Sequence, residues 1–142
     1  MASLQVEIVT PEAALFAGEA TSLVARSSAG EFMVLPGHTA TVGDVVPGVV
    51  RVQTAEGEIA FAVHGGYFQI ASALEGVTLA TVLAGVAENV ADIDVARASA
   101  AKERLEIELA SATQANPDDH APHLAAHAAL ARAELRLRAA AK

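Results

Sequence analysis

All ten glycines of this 142-residue chain precede residue 86, and everything after is dense in alanine. A chain that keeps all its glycine in the first part and fills the second with a strong helix former has to be built in two ways. Through Leu79 the apolar residues recur with period two. Leu4, Val6 and Ile8 fall on one side of an extended segment, with Gln5 and Glu7 on the other. Ile59, Phe61 and Val63 repeat the pattern, as do Phe68 with Ile70 and Val77 with Leu79. Turn signals separate these runs at Ala17-Gly18, Ala29-Gly30, Pro36-Gly37, Pro47-Gly48, Glu56-Gly57, Gly65-Gly66 and Glu75-Gly76. Strands spaced at roughly 8–12 residues read as an antiparallel sandwich or barrel. "VVRVQTAEGEIAFAV" reads as a hairpin closing on Ala55-Glu56-Gly57.

Beyond about residue 90 the period changes to that of a helix. Asp92 is placed to cap it, and Ala98, Ala101, Leu105, Leu109 and Ala112 then form one stripe. Pro117 within "SATQANPDD" ends that helix, because proline cannot continue the backbone ladder. A second helix starts near Asp119 or Pro122, with Leu124, Ala128, Ala131 and Leu135 as its expected inner face. The fold class read from the sequence is therefore an N-terminal antiparallel β-sandwich, residues 1–90, followed by a C-terminal antiparallel two-helix hairpin, residues 91–142.

Charge narrows the function. The net charge of −8 argues against nucleic acid, whose phosphates require Lys and Arg. Up to Ala91 there are two basic residues, Arg26 and Arg51, against nine acidic ones, whereas seven basic and eight acidic residues follow. With no cysteine the chain forms no disulfide and no thiolate metal site. No run approaches about 18 uninterrupted apolar residues, and "MASLQVEIVTPEAALF" lacks the basic region of a signal peptide.

Enzyme signatures are missing: no GxxxxGK[ST] loop, no GxSxG elbow, no HExxH. Gly65-Gly66 precedes another strand and reads as a turn, with His64 structural beside it. His123 and His127 have i, i+4 spacing that can chelate a metal, with His120 nearby, but no further ligand is fixed and solvated histidines at a helix start fit as well. No metal is expected. Arg97 and Arg104 share one helical face with Asp94, and Arg132 and Arg136 share a face of the second helix. Four guanidinium groups from two helices suit a polyphosphate. The same spacing suits ordinary surface pairing, as of Lys102 with Glu106. Residue chemistry alone leads to a non-enzymatic adaptor or regulatory protein.

The order of features adds more. "GEFMVLPGHT", "PGVVRV", "FAVHGGYFQI", "VTLAT" and then "DIDVARA" opening an alanine-rich hairpin resembles, over essentially the whole chain, the epsilon subunit of bacterial F-type ATP synthase. The resemblance implies a non-catalytic rotor subunit of the central stalk, peripheral at the cytoplasmic face of the cell membrane. Its sandwich would bind the gamma subunit and the c ring, with Glu31 and Phe32 at a tip toward the c-ring loops and Pro36, Gly37 and His38 forming a neighbouring corner. Its hairpin would act as a brake on ATP hydrolysis, meeting the alpha and beta subunits when extended. Ile93, Asp94, Arg97 and Ala98 match the "I/L-D-x-x-R-A" motif of members that bind ATP, and Arg104, Arg132 and Arg136 match their basic positions. A regulatory ATP is thereby implied, and no cofactor is required. The competing readings are a free-standing ATP-sensing module and a histidine metal module.

Overall fold

The structure, a computed structural model, describes residues 2–115 and 121–141. The chain divides into two compact units, residues 1–91 and 92–142. The first holds ten strands: β1 (Ser3–Val9), β2 (Ala14–Ala20), β3 (Ser22–Ser27), β4 (Gly30–Val34), β5 (Thr41–Val45), β6 (Gly48–Thr54), β7 (Gly57–Val63), β8 (Gly66–Ser72), β9 (Val77–Ala84) and β10 (Ala87–Asn89). They form two five-stranded sheets, ordered β2-β1-β9-β8-β5 and β10-β7-β6-β3-β4. The two sheets enclose one aliphatic core, as a sandwich must. Leu4, Val6, Ile8, Leu23, Val34, Val50, Val52, Phe61 and Val82 have lost essentially all contact with solvent, each such side chain contributing about 1.5–3 kcal/mol.

All strand pairings are antiparallel except one. β1 lies parallel to β9, from Ser3 against Val77 to Val9 against Leu83, a pairing that the alternation pattern did not announce. β6 and β7 form the expected hairpin, with Thr54 opposite Gly57. Gly65-Gly66 is not a hairpin turn: β7 and β8 belong to different sheets, so these glycines carry the chain across the sandwich. Gly66, at φ 156°, lies so close that an added Cβ would run into the carbonyl oxygen of Leu83. His64 is buried at this crossing, its Nε2 3.7 Å from Glu88 Oε1.

One strand turns the other way from the reading above. Thr78, Ala80, Val82 and Ala84 of β9 face the core, leaving Val77 and Leu79 on the outer side. A shift of one residue exchanges the faces of a strand. Val77–Val82 carries one threonine on each side and so offers a similar pattern in either phase; in the phase adopted, Thr78 is buried with the hydrogen bond described below.

The second unit is an antiparallel pair, α1 (Val95–Ala115) and α2 (Ala121–Ala140). Leu105 and Leu109 pack with Ala126, Ala129 and Leu130. The cap of α1 is Asp94, not Asp92. Its carbonyl accepts the N–H of Ala98 at 3.0 Å, and its Oδ1 accepts the N–H of Arg97 at 3.0 Å, the two bonds that define an N-cap. Asp92 belongs to a preceding single turn, residues 90–92. The inner face of α2 also differs. Ala128 and Ala131 are exposed, whereas Ala126, Ala133, Leu135 and Ala139 are buried. Alanine on nearly every side of α2 leaves no stripe to read. His120 lies outside the described residues, as do the side chains of Ala112, His123 and Leu124; His127 is exposed.

Candidate functional site: a braced tip and a cationic hairpin

Two places gather the residues singled out by the sequence. The first lies at the β3–β4 end of the sandwich. Glu31 is exposed on edge strand β4, opposite Arg26 of β3. Phe32, the next residue, turns inward, and its ring lies 4.5 Å from that of Phe68, within the range of favourable aromatic contact. Gly43 makes the room: an added Cβ would stand 2.6 Å from the Phe68 ring. One residue of β4 thus faces solvent while its neighbour is anchored between the sheets.

The Pro-Gly-His corner follows directly. The N–H of His38 donates to the carbonyl of Leu35 at 3.1 Å, and Gly37 has φ 89°. With Pro36 at the second position and a positive-φ glycine at the third, this is a type II turn. The N–H of Gly37 donates to Oγ1 of buried Thr78 at 2.8 Å. A buried hydroxyl is normally satisfied by such a partner, so the corner is tied to the start of β9, a strand held on both sides by its ladders with β1 and β8. His38 Nδ1 lies 2.8 Å from the carbonyl oxygen of Thr39, which can only accept, so that nitrogen carries the proton. Glu31 and Phe32 thus stand at the turn end of β4, whereas Pro36, Gly37 and His38 follow its far end, so the corner is not the neighbour of the tip that the sequence led one to expect: a whole strand separates them.

The second place is the hairpin. Ile93 is half-buried, Asp94, Arg97 and Arg104 are exposed, and Ala98 is buried. Asp94 is engaged in capping, so the aspartate and the alanine of the motif serve the helix start directly. Arg97 and Arg104 are exposed cations on α1, and Arg132 and Arg136 are half-buried on α2. The Leu105/Leu109 contact with Ala126, Ala129 and Leu130 sets Arg104 level with Arg132, and Arg97 level with the last turns of α2 that hold Arg136 and Arg138. Seven residues of helix, about 10 Å, separate the two levels, so an elongated anion is needed to meet both.

Asp44 and Ser28, absent from the sequence reading, prove to belong to the first place. Ser28 donates to both carboxylate oxygens of Asp44, from its backbone N–H at 3.0 Å and from its hydroxyl at 2.9 Å. Sixteen residues separate them, so no local motif announces the contact.

A sandwich of two five-stranded sheets followed by a capped helical pair defines a two-part class of protein, a β body carrying a helical hairpin. The particular family follows from comparison. A family model described as the ATP synthase delta/epsilon chain, beta-sandwich domain, matches residues 3–90. ATP synthase epsilon chains are similar along more of the chain: that of Bordetella petrii is 42% identical over 113 residues, covering 79% of this chain and 77% of the relative. That of Streptomyces griseus is 37% identical over 118 residues, covering 82% and 91%. The chain belongs to the ATP synthase epsilon-chain family. The fold also matches a chain of the Euglena gracilis mitochondrial ATP synthase, with TM-score 0.75 at 22% identity over 100% of this chain and 83% of that one. A chain of the Tetrahymena thermophila mitochondrial ATP synthase central stalk and c ring gives TM-score 0.55 at 14% identity, over 96% of both.

Proposed function

We propose that the chain is a non-catalytic rotor subunit in the central stalk of a proton-translocating F-type ATP synthase, held peripherally at the cytoplasmic face of the bacterial membrane. The observation that carries this is the 42% identity over 113 residues to an ATP synthase epsilon chain, a stretch long enough to take in both the tip and the start of α1. No helix among the described residues is long and apolar enough to cross a membrane, which fits a subunit held by its partners. In this reading the tip around Glu31 meets the polar loops of the c ring and the Pro36-Gly37-His38 corner lies against the gamma subunit. Torque passes through a contact only if the contact does not yield. A type II turn tied to Thr78 and a Phe32–Phe68 anchor supply that stiffness.

The hairpin is the regulatory part. Among the described residues its contact cluster sets Leu105, Leu109 and Leu130 with alanines, whose burial contributes less than that of larger side chains, and helices in proteins owe most of their stability to such packing. Two arrangements of the pair are then close in energy, one permissive and one extended toward the alpha and beta subunits to oppose hydrolysis. ATP held by Arg97, Arg104, Arg132 and Arg136 would favour the permissive one; at a hundredfold excess over Kd it contributes about 2.7 kcal/mol. The support for ATP is the motif match together with the two cationic levels of the pair.

The experiment is capture by the gamma subunit, followed by ATP hydrolysis of the assembled complex with the full chain and with the chain ended after Ala91. Capture and a rise in hydrolysis on truncation are expected. Failure of capture refutes the rotor role, and unchanged hydrolysis refutes the brake. Calorimetry of the full chain with ATP, repeated on Arg97→Ala, tests the nucleotide separately: heat lost in the variant is the expected result, and no heat in either removes ATP.

A further inference from the structure

The turn that presents Glu31 is held by a carboxylate from the opposite sheet. β3 and β4 form a hairpin at the edge of one sheet, and β5 is the edge strand of the other. Within the hairpin, Ser27 Oγ donates to the carbonyl of Gly30 at 3.1 Å and accepts the N–H of Ala29 at 3.1 Å. These bonds shape the turn but do not aim it. A hairpin at a sheet edge can still rock about its own strands.

The aim comes from β5. Asp44 accepts both donors of Ser28. Two residues on, the N–H of Val46 donates to the carbonyl of Arg26 at 2.9 Å, and Arg26 is the register partner of Glu31. Next to Asp44, Gly43 leaves the space taken by the Phe68 ring, on which Phe32 packs. Adjacent residues of β5 thus hold the turn, through Asp44, and leave room for its aromatic anchor, at Gly43. The Ser28–Asp44 bonds are solvent-exposed, so water replaces them when they break and their net contribution to folding is small. What they fix is direction.

We propose that Asp44 is a positioning residue: with Ser28 it sets the attitude of Glu31 toward its rotor partner without touching that partner itself. The inference rests on reading the tip as the rotor contact. Asp44→Ala removes both acceptors, Ser28→Ala removes one donor, and Ser28→Thr keeps both.

The test assembles the whole synthase in vesicles with each variant and with Glu31→Ala. It measures protons pumped per ATP hydrolysed, alongside thermal unfolding of the variant chains. Asp44→Ala is expected to lose coupling while its Tm stays near that of the unaltered chain. Ser28→Ala is expected to lose part of it, Ser28→Thr to restore it, and Asp44→Ala to add nothing in a Glu31→Ala background. If Glu31→Ala lowers coupling and Asp44→Ala does not, the positioning role is wrong and the tip reading stands. If Asp44→Ala lowers coupling equally with and without Glu31, it acts elsewhere and the proposal is overturned. If Glu31→Ala changes nothing, the tip reading falls and this inference with it.

Discussion

At the scale of single residues, the contacts that matter most join segments distant in sequence. Thr78 is the only polar residue among the buried ones described, and the bond its hydroxyl accepts ties β9 to the corner forty-one residues away. Thr78→Val keeps the shape and removes the acceptor of the Gly37 N–H. Because Gly37 is itself exposed, a loss of about 0.5–1.5 kcal/mol is expected, read as a lowered midpoint in urea. Gly43→Ala tests the opposite fault, crowding. Its methyl would enter the Phe68 ring, and overpacking of this kind costs about 1–3 kcal/mol, measured in the same way. Asp94→Ala removes the cap of α1 and should cost about 1 kcal/mol, seen as reduced helicity by circular dichroism. Asp44 and Thr78 share a reason for their silence in the sequence. Each is informative only through a partner that the fold brings near, whereas Pro36-Gly37 declares its turn by composition alone.

At the scale of elements, legibility follows how strongly each face is contrasted. β1 alternates Leu4, Val6 and Ile8 with polar neighbours, and its inner face is the one expected. β9 carries a threonine and several apolar residues on each side, so its pattern left the phase open; the phase adopted buries Thr78, Ala80, Val82 and Ala84. In α1 the leucines stand out against charge, and Leu105 and Leu109 are buried as the stripe requires. In α2 alanine occurs all round, and the face chosen from the pattern was wrong at Ala128 and Ala131. The arginine positions of the hairpin could be picked out from spacing, but their division into two levels required the register of Leu105 and Leu109 against α2. Leu105→Ala removes one of the few large side chains in that contact. A cost toward the low end of the roughly 2–5 kcal/mol seen for such changes is expected, because small neighbours can close in. Far-ultraviolet dichroism of the full chain against temperature would report it as earlier loss of helical signal with the β signal retained.

At the scale of the whole molecule, the core of the sandwich is complete within residues 4–84, with Ala87 packed at its margin. A chain ended after Ala91 should therefore unfold cooperatively, with a Tm within a few degrees of the sandwich transition in the full chain; scanning calorimetry checks this. Loss of cooperative unfolding would mean that the sandwich needs the helices. The two-part organisation was visible because glycine content and period change together near residue 90. The parallel placing of β1 beside β9 was not, since a strand's pattern records which side is wet and not which neighbour it will find.

That placing has a consequence for synthesis. The first strand made is an inner strand of its sheet, seated against nearly the last, so the N-terminal segment must wait, unpaired on that side, until about residue 84 has been joined. Nothing like the finished body exists before then, and long-range closure of this sort is slow. The helices come off the ribosome afterwards, as an addition to a task already done. A change in their length or sequence therefore leaves the closure of the part made first untouched.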